Sequence, residues 1–180
     1  MFREEMSYGS ALGIAADQLT RHGKLVPDEM VCQVVEAWLG AHNGKFIFDG
    51  FPRSLGQANA LEAMLAKRKT PLEVALFLKT DFETISSRVK SRLVCSKCHA
   101  TLSAGLNVPN VKTPCPNCGG QVVRRSDDNP ETLSQRMQEY QEKTEPLIEH
   151  YLQKGLLRTV DSVRSPELVF AAIAEILEEK

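Results

Sequence analysis

Four cysteines constrain this chain more than anything else in it. Cys95-x2-Cys98 is followed after sixteen residues by Cys115-x2-Cys118. Two such knuckles offer four thiolates, the number that closes a tetrahedral Zn2+ site. With all four positions taken, none is open to a substrate, so the pattern predicts a structural metal. Pro116 and Gly119 suit the tight turn of the second knuckle. From Cys95 to Asn129 helical periodicity vanishes while Gly, Pro, Asn and Cys become dense. A segment with so few large apolar residues needs metal-derived folding energy. Cys32 stands alone in a helical stretch and reads as core. His99 adjoins a quartet that is already full and reads as a surface residue.

A four-cysteine ribbon alone is compatible with nucleic-acid binding, so composition matters next. Over 180 residues, 22 Lys+Arg against 23 Asp+Glu give a net charge of −1, which supplies no basic field for nucleic acid or anionic lipid. Hydrophobic residues at 42% and charged residues at 25% fit a globular fold. No apolar run approaches the ~18–20 residues of a membrane span. The segment MFREEMSYGS lacks the apolar stretch of a secretory signal. The expectation is a cytoplasmic protein with reduced cysteines, no membrane partner and no nucleic-acid partner.

Along the chain, Ser10 to Trp38 reads as helical with a break at Gly23, and Pro27-Asp28-Glu29 opens the second helix. Val31, Val34, Val35 and Trp38 form its apolar face. Lys45 to Asp49 reads as a buried parallel strand ending in a carboxylate. Ala58, Leu61, Met64 and Leu65 mark the next helix, and Val74 to Leu78 a second buried strand. Asp81 to Arg92 reads as a helix with Ile85 and Val89 inward and Arg88 and Arg92 on one face. Glu131 to Tyr151 reads as a long polar helix kinked by Pro146. Leu156 to Asp161 reads as a third strand, and Pro166 to Lys180 as a closing helix. Helices alternating with apolar strands predict an α/β fold, a parallel sheet covered by helices.

Asp49-Gly50-Phe51-Pro52-Arg53, with Gln57 four residues on, resembles the nucleoside monophosphate signature of adenylate kinases. The neighbouring segments agree. Met1-Phe2-Arg3 and Gly23-Lys24-Leu25-Val26-Pro27-Asp28-Glu29 resemble two of the family's AMP-binding segments. Arg88-x3-Arg92 and the four cysteines resemble its zinc-containing lid. Arg124-Arg125-Ser126-Asp127-Asp128-Asn129-Pro130-Glu131-Thr132, with Arg136, resembles the lid's exit hinge, and Val160-Asp161 the last strand. The match runs in order through essentially the whole chain. Taken singly, each motif has a plainer meaning: Arg88 and Arg92 a solvated face, Asp127-Asp128 charge before a helix, Asp49-Gly50 a turn, Gln57 an exposed amide.

The resemblance implies a P-loop nucleoside monophosphate kinase fold, N-terminally truncated, with an inserted zinc-ribbon lid. Its parts are an NMP-binding segment at 1–26, a core at 27–91 and 130–180, and a lid at 92–129. It implies transfer of the terminal phosphoryl group of ATP to AMP, giving two ADP, by a monomer using Mg2+ with ATP and structural Zn2+ in the lid. Phosphoryl transfer asks for positioning and charge neutralisation rather than covalent chemistry, and guanidinium forks suit phosphate oxygens. By resemblance, Arg53, Arg88, Arg92, Arg125 and Arg136 are catalytic, and Asp49 holds waters of the Mg2+. AMP falls to Arg3, Lys24, Leu25, Val26, Gly50, Phe51, Pro52, Arg53, Gln57, Arg125 and Arg136, with Gln57 on the adenine edge. ATP falls to Arg88, Arg92, Thr101, Leu102 and Arg164, with Leu102 packed on adenine where the family often has Tyr.

No G-x-x-x-x-G-K-[ST] occurs in the 180 residues. The family's opening strand, phosphate loop and following helix have no counterpart here, which predicts a fragment or a misplaced start. The family's first strand would lie between the strand ending at Asp49 and the strand at Val74 to Leu78, so a gap is expected there. Two further readings stand beside the kinase. A catalytically dead AMP-binding remnant predicts AMP binding without turnover. A zinc-ribbon nucleic-acid module predicts affinity that falls steeply with salt.

Overall fold

A computed structural model describes Ile14, Gln18, Leu19, residues 24–125 and residues 127–178. Arg3, the helix break at Gly23 and Ser126 of the hinge motif lie outside the described residues. The chain forms two compact units, Met1–Lys79 with Gln135–Lys180 and Thr80–Ser134.

In the larger unit, α1 (Asp28–Ala41) and α2 (Leu55–Arg68) pack together through Val35, Leu39, Leu61, Met64 and Leu65. The 3.6-residue period puts those side chains on one stripe of each helix. Ser54 caps α2, its hydroxyl accepting from the Gln57 amide at 3.1 Å. Lys69 in the left-handed region ends the helix, its amide donating to the Ala66 carbonyl. Strands β1 (Ala75–Lys79) and β5 (Leu157–Asp161) pair in parallel, Ala75 opposite Leu157 and Lys79 opposite Asp161. The closing helix, Pro166–Glu178, packs on β5. Ala58, Leu147 and Tyr151 form a second cluster, against which Leu72, Ala75, Leu156 and Leu157 pack.

The expected strand from Lys45 to Asp49 is not one. Its residues are extended but pair with no strand among the described residues. The alternation is real: Phe46 and Phe48 turn onto the α1–α2 core beside Trp38, while Ile47 is 80% exposed. A parallel ladder needs a neighbouring strand to take its amides and carbonyls. Among the described residues β1 pairs with β5 on one edge, and no strand lies on its other edge to extend the ladder to this segment.

The long helix from Pro130 is also corrected. Between Pro130–Glu139 and Pro146–Gln153 lies a five-residue π turn, Tyr140–Thr144, with the Glu145 amide donating to the Tyr140 carbonyl at 2.9 Å. Pro146 has no N–H for the next i−4 bond, and the widened turn accommodates it at the first position of the following helix. Gly155, at φ +70°, then turns the chain into β5.

In the smaller unit, Asp81 caps a helix at Phe82–Ser91 by accepting from the Thr84 amide at 2.7 Å. No residue of that helix is fully buried, and Ile85 and Val89 are half-buried. The helix stops before Arg92, which opens strand β2 (Arg92–Cys95). Arg88 and Arg92 therefore do not share a helix face, contrary to the periodicity. Strands β3 (Thr101–Ser103) and β4 (Val122–Val123) flank β2, both antiparallel to it. Leu93, Leu102, Val108 and Val122 fill this unit's core with Cys95 and Cys115. Among the described residues, no helix is long and apolar enough to cross a membrane.

Candidate functional site

The cysteine knuckles are built alike. In the first, His99 donates its amide to the Cys95 carbonyl at 3.0 Å, and Cys95 donates to the Ala100 carbonyl at 3.0 Å. In the second, Gly119 donates to Cys115 and Cys115 to Gly120, both at 2.8 Å. Equivalent positions His99 and Gly119 take positive φ, +57° and +69°. The Ser96 amide joins the knuckles by donating to the Gln121 carbonyl at 2.9 Å.

This geometry gathers the four sulfurs within 4.8 Å of one another. Cys95 and Cys118 are 3.5 Å apart, Cys98 and Cys115 3.7 Å. Four sulfurs at the usual zinc distance of about 2.3 Å stand about 3.8 Å from each other in a tetrahedron, so the set fits. The amides of Cys98 and Lys97 point at the Cys95 sulfur and hold its thiol down to about 6, which favours the thiolate a metal requires. Gly120 completes the cradle: a Cβ there would stand 2.8 Å from Lys97 Cβ and 3.0 Å from the Cys95 sulfur. His99 is exposed and outside the sulfur cluster. Cys32 is half-buried against the α1–α2 core, and burial pushes its thiol pKa up, with Asp28 and Glu36 adding to the effect.

The larger unit holds the arginine loop, Asp49 to Arg53, between the Phe48 segment and α2. Gly50 sits at φ +71°, a conformation that favours glycine, and a Cβ there would stand 2.7 Å from the Arg53 guanidinium and push it aside. The Phe51–Pro52 bond is cis. Arg53 donates from Nε to the Gly50 carbonyl at 2.7 Å, and its own carbonyl accepts from Thr144 Oγ1 at 2.8 Å. Burial lowers the Arg53 pKa, Asp49 raises it and Arg136 lowers it further. A guanidinium stays charged regardless. Arg53 thus feels the Asp49 carboxylate of its own loop and Arg136 from far along the chain. Lys24 is exposed, and Leu25 and Val26 are half-buried just before α1. Arg164, after β5, is exposed and meets Asp161 at 3.3 Å.

Gln57 is 2% exposed rather than open to solvent. Its Oε1 accepts from the Arg53 amide at 2.7 Å, and its Nε2 donates to Asp28 Oδ1 at 2.8 Å. A Ser-x-x-Gln pair reads as a helix-start signature, and that signal could have located this amide.

In the smaller unit Arg92 and Arg125 are both forked onto carboxylates. Arg92 donates from Nε to Asp128 Oδ2 at 2.8 Å and from its second nitrogen to Oδ1, bonds that raise its pKa. Arg125 donates to Asp127 at 2.9 and 2.6 Å. Thr101 is exposed and Arg88 is exposed on its helix. Leu102 is corrected: its side chain lies 5% exposed among Leu93, Val108 and Val122, because β3 turns it inward, so it is not available to pack on a base.

Two guanidiniums and a carboxylate that influence one another electrostatically in the larger unit suit a phosphate-bearing ligand, and the smaller unit carries a four-thiolate cluster. A profile of the family described as Adenylate kinase matches residues 1–156. The adenylate kinase of Thermodesulfovibrio yellowstonii is 36% identical over 182 residues, covering 100% of this chain and 85% of its own. Those of Clostridium beijerinckii and Carboxydothermus hydrogenoformans are each 38% identical, over 98% and 99% of this chain and 83% and 85% of their own. The chain belongs to the adenylate kinase family, phosphotransferases of the nucleoside monophosphate kinase type.

Proposed function

We propose that this chain transfers the terminal phosphoryl group of ATP to AMP, giving two ADP. The observation that carries this reading is that Arg53, on a loop bent at Gly50, is influenced electrostatically by both Asp49 and Arg136. A monophosphate brings two negative charges, and one guanidinium fork with a second cation beside it answers them in both charge and geometry. Arg53 and Arg136 hold the AMP phosphate, with Lys24, Leu25, Val26, Gly50, Phe51 and Pro52 around the nucleoside and Arg3 completing that side, while Gln57, buried and bonded at both ends, supports Arg53 from behind rather than meeting the adenine edge. Arg88, Arg92 and Arg125 neutralise the ATP phosphates and the transferred group, with Thr101 and Arg164 towards the ATP base. Asp49 holds water ligands of the Mg2+ that accompanies ATP. Cys95, Cys98, Cys115 and Cys118 hold Zn2+, which supplies folding energy to the lid and no chemistry. The protein works as a cytoplasmic monomer.

The test is ADP formation from ATP and AMP by the purified chain, beside Arg53→Ala. Losing one such charge-assisted donor lowers kcat/KM by about a hundredfold or more. AMP binding without turnover by the native chain would favour the dead-remnant reading. Nucleic-acid binding with a steep salt slope and no AMP binding would overturn the proposal.

A further inference from the structure

Asp28 is the first residue of α1, yet its carboxylate caps nothing in its own helix. Both oxygens reach across to α2 instead. Oδ2 accepts from Ser54 Oγ at 2.5 Å, and Oδ1 accepts from Gln57 Nε2 at 2.8 Å. Ser54 and Gln57 are the cap and the third residue of α2, and Gln57 passes the connection on through Oε1 to the Arg53 amide. A carboxylate only accepts and a backbone amide only donates, so the two ends of the Gln57 side chain have one possible orientation. Gly56 makes room: a Cβ there would stand 2.7 Å from Asp28 Oδ2.

We propose that Asp28 is a positioning residue for the arginine loop. Through Gln57 it fixes the backbone at Arg53, and so the direction of the guanidinium that receives the monophosphate. This rests on the functional reading above. Thr144 fixes the carbonyl of the same residue from the other side. Arg53 is thus held at both its amide and its carbonyl, while its side chain is steered by Gly50. A charged acceptor is used because one carboxylate satisfies two donors at once, and such bonds are stronger than neutral ones.

The test is steady-state kinetics of the native chain, Asp28→Ala and Gly56→Ala, varying AMP at saturating ATP and the reverse, with melting temperatures alongside. Gly56→Ala improves helix propensity but displaces the carboxylate, so it separates loss of stability from loss of positioning. Both variants should raise KM for AMP about tenfold while KM for ATP moves less than about twofold, one strong hydrogen bond being worth that much. Equal rises in both KM values, a fall in kcat alone, or no change would overturn the proposal with the functional reading intact. A native chain that neither binds AMP nor forms ADP would remove the functional reading, and this inference with it.

Discussion

Arg92 and Asp128, 36 residues apart in sequence, meet through both oxygens of the carboxylate and two guanidinium nitrogens. Asp128 is 4% exposed and Arg92 28% exposed at their side chains, so the pair ties the start of β2 to the end of the ribbon in a part-buried setting. Removing one partner of such a pair leaves a charge without compensation. Asp128→Ala should destabilise the chain by about 2–3 kcal/mol and expose residues 92–128 to protease, read by urea denaturation and limited proteolysis. Equal resistance in variant and native protein would contradict this.

The four-thiolate centre makes a separate prediction. Native protein should carry one zinc per chain by elemental analysis, and Cys115→Ser should carry less than about a tenth of that. Gly120→Ala, which removes no ligand but crowds the Cys95 sulfur, should weaken zinc retention against a chelator in the same direction. Unchanged metal content in both variants would show that the cysteines do not act together.

Glu62 links α2 to the helix at Pro146–Gln153, with His150 at 2.9 Å and Lys154 at 2.7 Å. Burial opposes its ionisation, but the hydrogen bonds from Lys154 and His150 prevail and hold its pKa below the usual glutamate value. A carboxyl depressed in the folded state adds stability above its unfolded pKa and loses it as pH falls through the folded one. The difference in unfolding free energy between native protein and Glu62→Gln should be about 1 kcal/mol at neutral pH and vanish in acid below the glutamate range. A difference that stays constant down to that range would refute the linkage.

Leu61 and Ile47 separate core from surface. Leu61 is 1% exposed between α1 and α2, and Ile47 is 80% exposed. Leu61→Ala should cost about 2–5 kcal/mol, and Ile47→Ser less than about 0.5 kcal/mol, by denaturant titration. A cost of several kcal/mol at Ile47 would restore the buried strand expected from the sequence.

The helices were legible because their signals are local: the apolar stripe through Val35 and Leu61, the glycine turn at Gly155, and the knuckle spacing at Cys95 and Cys115 each lie within a few residues. The strand at Lys45 to Asp49 was misread because a ladder depends on a neighbour that no local pattern can report. Leu102 was assigned to a ligand by position in a motif, whereas the inward face of β3 decides where it points. Arg92 followed a helical spacing that the chain abandons one residue earlier. The part played by Asp28 is not legible locally, because its partners Ser54 and Gln57 belong to another helix.

The π turn at Tyr140–Thr144 bears on how Arg136 and Leu147 are displayed. These residues are eleven positions apart, which on an uninterrupted α-helix places them about 20° from each other around the axis. Leu147 must face Ala58 in the interior. An unbroken helix would therefore aim the arginine inward as well. Five residues wound at the wider pitch retard the rotation by about a quarter of a revolution. A single rod can then bury one side chain and carry the other on a different face.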